Sequence, residues 1–350
     1  MTKRVALVDI DGCIVHENQL NQALVEQLRE YDEIILFTQR SIFLQRGQIT
    51  RKYQMSGVNK DELVNTPDVV KALGAALGKP IRVSTSIDPY YEAGEPTRYY
   101  EDVLSGFEEQ LKSGVSQVKQ GDPYMVPTSL VKQYDDEIAL VWKKVEKSAS
   151  MKEHDPSSFY PQGKVEQFAH LREALPAMLD TDDVAITYFD DSVDNLLEVA
   201  KATAEKPRAP QCLLVRESYI CPIDKWQANH PNQTKISHEM QSQLQEMPLS
   251  KLCDYVVLRE GERRTSQYGE YNSRAARFFA FDFRCATTKL SAAKKAIKIL
   301  QGYDDPQYCL NENELKALEQ GRLKDRIGDQ LDFIKGYCDR FSKEKLAIIQ

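Results

Sequence analysis

The chain has 350 residues, with 46 Lys and Arg against 53 Asp and Glu, a net charge of −7 and a mean hydropathy of −0.52. That length fits about two domains at ~150 residues each, and 41% hydrophobic residues exclude a mainly disordered chain. The acidic balance argues against general nucleic-acid binding, which needs a basic surface.

No apolar stretch approaches the ~20 residues of a membrane span. Met1-Thr2-Lys3-Arg4 leads straight into a strand pattern with no small-residue cleavage site, so no signal peptide is expected. The seven cysteines (Cys13, Cys212, Cys221, Cys253, Cys285, Cys309 and Cys338) are scattered, with no CxxC pair. Free, buried thiols in a reducing, cytoplasmic compartment are expected, and no zinc site.

Val5-Ala6-Leu7-Val8 reads as a first strand, running into Asp9. A helical stripe of Leu20, Ala23, Leu24, Leu28 and Tyr31 follows. Ile34-Ile35-Leu36-Phe37 is a second strand, running into Thr38, and Ile81-Arg82-Val83 a weaker candidate. From about Pro89 to Tyr160 no strand pattern occurs, only helical ones around 99–111 and 130–145, the latter with Thr128 or Ser129 as N-cap.

Val165, Phe168, Leu171, Leu175 and Met178 then mark a helix, and residues 184–189 a strand running into Asp190. Leu196, Leu197 and Ala200 mark the next helix. Residues 212–215 read as another strand, and 255–258 as a weak one. Continuous apolar runs suit strands covered on both faces, and their alternation with helices predicts a doubly wound parallel α/β sheet. The expected division is core over 1–88 and 161–260, a helical insertion over 89–160 and a helical extension over 261–350.

In such a sheet the active site lies at the carboxyl ends of the strands, where Asp9, Thr38 and Asp190 all fall. Asp9-Ile10-Asp11-Gly12 sets two carboxylates at i and i+2 where a strand breaks, with Gly12 allowing a sharp turn. Their repulsion is relieved by a divalent cation. One carboxylate can attack a phosphorus while the other moves the leaving group's proton. The plainer alternative is a solvated Asp-Gly turn.

Asp190-Asp191-Ser192-Val193-Asp194-Asn195 closes one strand and opens a helix. The acid pair and Asn195 can ligate Mg²⁺ or hold its ligands, while Ser192 caps the helix. Thr38, followed by Gln39 and Arg40, offers a hydroxyl and backbone N–H groups to a phosphoryl oxygen, or simply a helix cap. Lys164 stands at a helix start, a locally unfavourable place for a cation, and a lysine commonly clamps phosphate charge, although a lone lysine is most often simply exposed.

Taken in order, Asp9-x-Asp11-Gly12, Thr38, Lys164 and Asp190-Asp191 resemble the motifs of the haloacid dehalogenase-like (HAD) superfamily. The resemblance covers about residues 1–85 and 160–216. It implies a Mg²⁺-dependent phosphatase with Asp9 as nucleophile and Asp11 as general acid and then base. Thr38 and Lys164 would hold the phosphoryl oxygens. The Asp9 carboxylate, the Asp11 main-chain carbonyl and a carboxylate of Asp190 or Asp191 would hold the metal. Many relatives carry glycine where Asp190 stands, which leaves open which of the two acids touches the metal.

Only 26 residues lie between Asp11 and Thr38, too few for a folded cap, whereas 125 lie between Thr38 and Lys164. Of these, about 70 remain for a helical cap, in which Tyr90, Tyr91, Tyr99 and Tyr100 are candidates for stacking on substrate or for ordinary packing. A phosphoprotein, phosphotyrosine included, is the first substrate class expected. A small metabolite or nucleotide is the second, and a binding protein that keeps the fold without turnover the third. Residues 261–300 hold nine Lys and Arg against three acids. Lys289, Lys294, Lys295 and Lys298 alternate there with apolar residues, as on a helix meeting an anionic membrane or on one with a solvated face. This layout is similar to that of bacterial effector phosphatases with a membrane-binding tail, which act in a host cytosol.

Overall fold

The computed structural model describes residues 2–39, 63, 66–85, 163–265 and 286–349. The expected insertion over 89–160, with its four tyrosines, lies outside the described residues, as do Arg40, Arg274, Arg277 and Arg284. The architecture is α/β, with a mostly parallel six-stranded mixed sheet in the order β5-β4-β1-β6-β7-β8. Here β1 is Lys3–Val8, β4 Glu33–Thr38, β5 Arg82–Thr85, β6 Val184–Asp190, β7 Gln211–Arg216 and β8 Tyr219–Pro222. A separate hairpin joins β2 (Val15–His16) to β3 (Gln19–Leu20). The chain divides into two compact units with the boundary inside β7, one of Met1–Leu20 with Leu28–Cys212 and one of Asn21–Gln27 with Leu213–Gln350.

In the first unit β1 is central, and Val5, Ala6, Leu7 and Val8 are all fully buried. A strand covered on both faces cannot alternate with polar residues, which is why its sequence is a continuous apolar run. It pairs in parallel with β4 on one side, Val5 opposite Glu33 and Val8 opposite Leu36. On the other side it pairs with β6, Lys3 opposite Val184 and Val8 opposite Phe189. The chain moves outward from β1 to β4 to β5 and then returns to β6 across β1. That reversal opens a crevice beyond the carboxyl ends of β1 and β6. Helix α1 (Gln22–Leu28), which falls almost wholly in the second unit, precedes β4 in the chain; α2 (Thr66–Leu77) precedes β5, α3 (Lys164–Leu179) precedes β6, and α4 (Val193–Thr203) follows it.

In the second unit β7 and β8 form an antiparallel hairpin, Leu213 opposite Pro222 and Arg216 opposite Tyr219. The helices that follow are α5 (Ile223–Asn229), α6 (His238–Glu246), α7 (Pro248–Thr265), α8 (Ala286–Gln301), α9 (Glu312–Leu318), α10 (Gly321–Ile327) and α11 (Leu331–Ile349). The run Tyr255-Val256-Val257-Leu258, read from sequence as a weak strand, lies inside α7. Four apolar residues carry no period of their own. Leu249 and Leu252 extend them into a repeat of three to four, with Tyr255 and Val256 buried and Leu258 half exposed. Pro248 at the first helical position sets the start, and the helix passes residue 260 without a break.

Several basic positions of this unit have partners within it. Lys294 Nζ lies 2.5 Å from Glu260 Oε1, Arg263 Nε 2.9 Å from Glu260 Oε2, and Lys295 Nζ 2.8 Å from Glu314 Oε2. Lys298 is buried, with its ammonium 4.9 Å from the centre of the Tyr303 ring. No helix among the described residues is long and apolar enough to cross a membrane. All six described cysteines are free, and Cys285 lies outside the described residues.

Candidate active site

Asp9 is the first residue beyond β1, and its N–H donates to the Phe189 carbonyl at 2.9 Å, which ties it to the end of β6. The chain then turns tightly. Ile14 N–H donates to Asp9 O at 3.2 Å, Val15 N–H to Ile10 O at 2.9 Å, and Gly12 N–H to Val15 O at 2.9 Å. Gly12 adopts φ +73°, and a Cβ there would lie 2.5 Å from Asp191 Oδ2. Both the backbone angle and the approach of Asp191 require glycine.

The carboxylates of Asp9, Asp190 and Asp191 each offer an oxygen within 4.8 Å of the others. Asp190 is fully buried. It accepts hydrogen bonds from Ser192 N–H at 2.7 Å, from Asn195 Nδ2 at 3.2 and 3.4 Å, and from the Tyr188 hydroxyl. Ser192 also caps α4 by accepting from Asn195 N–H at 3.3 Å, as the capping reading of this segment expects. Asn195 is therefore a support for Asp190, its amide N–H aimed at that carboxylate.

Lys164 opens α3 and is 2% exposed. Its ammonium lies 2.7 Å from Asp9 Oδ1 and 4.0 Å from Asp190 Oδ2, and donates to the Phe37 carbonyl. The ammonium also lies 4.7 Å from the centre of the Phe37 ring, which meets Tyr188 edge to face at 5.3 Å. A cation at a helix start is explained here by the anions facing it. Thr38, the last residue of β4, is buried, whereas Asp11 is exposed at the mouth of the turn.

Burial pushes the Asp9 carboxyl up to about 6, against the lowering pull of Lys164 and with Asp190 adding to the rise. Burial likewise raises Asp190, although Lys164, Tyr188 and Ser192 act the other way. Burial, followed by the neighbouring acids, holds the Cys13 thiol well above its ordinary value.

Three carboxylates against one ammonium leave two formal negative charges. A divalent cation balances that excess, and an all-oxygen donor set suits a hard ion such as Mg²⁺. The donors therefore fit the metal that the sequence motifs imply. Asp190 and Asp191 both belong to the cluster, so each offers a carboxylate oxygen to a cation there.

Five of the six residues singled out from sequence lie in this crevice as buried or clustered groups, and Asp11 lies in the turn between them. Two further residues were missed. Tyr188 stands two residues before Asp190 on the same face of β6, and Gln167 one helical turn after Lys164 on α3. The i+2 strand period and the i+3 helix period are the signals that point to them. No protein-family model, curated protein or solved structure matches this chain.

Proposed function

We propose that this chain is a divalent-cation-dependent phosphomonoesterase with a HAD-like core, working through a phospho-aspartate at Asp9. The observation that carries this reading is the convergence of the Asp9, Asp190 and Asp191 carboxylates beside the Lys164 ammonium. Those three carboxylates, with the Asp11 main-chain carbonyl, would hold Mg²⁺. When bound, the cation supplies charge neutralisation for the phosphoryl oxygens and keeps the clustered acids ionised.

A carboxylate oxygen of Asp9 attacks the phosphorus while the bond to the leaving oxygen breaks. Asp11 gives its proton to that oxygen. It then takes one from the water whose oxygen attacks phospho-Asp9, releasing inorganic phosphate and restoring the Asp9 carboxylate and the protonated Asp11 carboxyl. Asp11 is exposed, as a group that meets leaving group and water must be. Lys164 and Thr38 hold phosphoryl oxygens, because phosphoryl transfer is mainly positioning and charge neutralisation.

A phosphoprotein, phosphotyrosine included, is the proposed substrate class. Between Asp11 and Thr38 the chain makes only a short hairpin, α1 and β4, with no domain to close over the nucleophile. The test is hydrolysis of p-nitrophenyl phosphate and of a phosphotyrosine peptide in Mg²⁺ and in EDTA. Turnover that needs Mg²⁺ and disappears in Asp9→Asn is expected. Equal background rates in all conditions would instead mark a binding protein that keeps the fold without the chemistry.

A further inference from the structure

Gln167 is a neutral side chain that is only 1% exposed, next to the residues that hold phosphate in the reading above. Its Nε2 donates to the Thr38 carbonyl at 3.1 Å and to the Ser84 carbonyl at 3.1 Å, with Ser84 Oγ at 3.4 Å. Lys164, one turn earlier, donates to the Phe37 carbonyl and to Asp9. One turn of α3 thus grips two successive carbonyls at the end of β4. Lys164 links that end to Asp9 beyond β1, and Gln167 links it to Ser84 in β5.

The other end of the carboxamide shows why an amide stands here. Gln167 Oε1 is buried with no hydrogen-bond partner among the described residues. An unpartnered buried acceptor is unfavourable, and an apolar side chain of the same length would avoid it. The position is therefore explained by its donor end, which satisfies two strand-terminal carbonyls that α3 covers.

We infer that Gln167 is a positioning residue. It fixes the backbone of Thr38 and the register of α3 on β4, and so sets the Thr38 hydroxyl and the Lys164 ammonium where phosphoryl oxygens are held. This inference rests on the phosphomonoesterase reading. Misplacement by a fraction of an ångström at such a site lowers turnover without touching the nucleophile.

The test is Gln167→Met, which keeps length, removes both donors and removes the orphaned acceptor. Measurements are kcat and KM for p-nitrophenyl phosphate, the inhibition constant of inorganic phosphate, and the Mg²⁺ concentration giving half of the thermal stabilisation. Expected are at least a tenfold fall in kcat and at least a fivefold weaker phosphate inhibition, with the Mg²⁺ midpoint unchanged. A lower thermal midpoint with kcat and phosphate inhibition as in the wild type overturns the inference, since the residue would then serve the fold alone. Gln167→Asn, which keeps the amide but shortens its reach, gives the same readouts if the Met variant does not fold. A wild-type protein with no Mg²⁺-dependent turnover and no phosphate binding removes the underlying reading instead.

Discussion

Lys164 and Asp9 meet at 2.7 Å across 155 residues of sequence, the ammonium 2% exposed and the carboxylate 13%. Because Asp190 lies 4.0 Å from the same ammonium, Lys164 is the cation that both acids share in the absence of metal. Removing one partner of a buried pair leaves the other charge uncompensated, typically at a cost of several kcal/mol.

Lys164→Met is therefore expected to destabilise the protein by about 3 kcal/mol in EDTA, read by urea denaturation. In an Asp9→Asn background the same change should cost clearly less, because the neutral amide needs no counter-charge. The double-mutant cycle isolates the pair. Equal losses in both backgrounds would show that Lys164 stabilises through Asp190 or through its packing on Phe37 and Tyr188 and not through Asp9.

In the proposed reading a divalent ion that neutralises the cluster would bind the folded chain and not the unfolded one. Mg²⁺ at one hundred times its dissociation constant should then add about 2.7 kcal/mol of stability. Thermal midpoints with Mg²⁺, with Mn²⁺ and with EDTA measure the gain. Asp191→Asn should abolish the metal-dependent rise while leaving the EDTA midpoint near that of the wild type, since Asp191 is only half-buried. Asp190→Asn should lower both, because the fully buried carboxylate also accepts from Tyr188, Ser192 and Asn195. A Mg²⁺ rise that survives Asp191→Asn would place the ion elsewhere.

Much of this site was legible because each acid follows a continuous apolar run, and such runs mark strands whose carboxyl ends carry chemistry. Asp9, Thr38 and Asp190 were placed at strand ends by that rule, and Lys164 by its order among the motifs, since a lone lysine at a helix start is most often exposed. The neighbours of each strand were not legible, since parallel strands without alternation carry no register information. The interior residues Tyr188 and Gln167 were hidden for a related reason. A tyrosine in a strand and a glutamine in a helix are ordinary there, and only the position of Asp190 or Thr38 in space gives them a task. Gly12 was readable as a turn, whereas the approach of Asp191 from 179 positions along the chain was not.

Gly12→Ala tests that approach. A Cβ would meet Asp191 Oδ2 at 2.5 Å while the backbone stays at φ +73°. The strained backbone should cost about 1–3 kcal/mol, and the displaced Asp191 carboxylate should weaken Mg²⁺ binding at least tenfold. Urea denaturation and a Mg²⁺ titration of the thermal midpoint read the two effects separately. Lost stability with unchanged Mg²⁺ affinity would mean that Asp191 moves aside without leaving the ion.

The second unit gives a pH prediction of definite sign. Burial acts to raise the carboxyl of Glu314, but hydrogen bonds from Lys295, Ser291 and the Asn311 N–H outweigh it and hold the group below its ordinary 4.5. Glu260 is lowered in the same way, burial being outweighed by Lys294 and Arg263. A carboxyl whose value falls on folding is protonated more readily in the unfolded chain, so folding is favoured at pH above 4.5. That contribution is lost as pH falls from 4.5 through the lowered values. The urea midpoint should therefore drop steeply below pH 4.5. Glu314→Gln should be less stable than wild type at neutral pH and show a shallower acid limb, because one of the two linked groups no longer titrates. An acid limb of unchanged slope in the variant would mean that Glu314 carries none of the acid sensitivity.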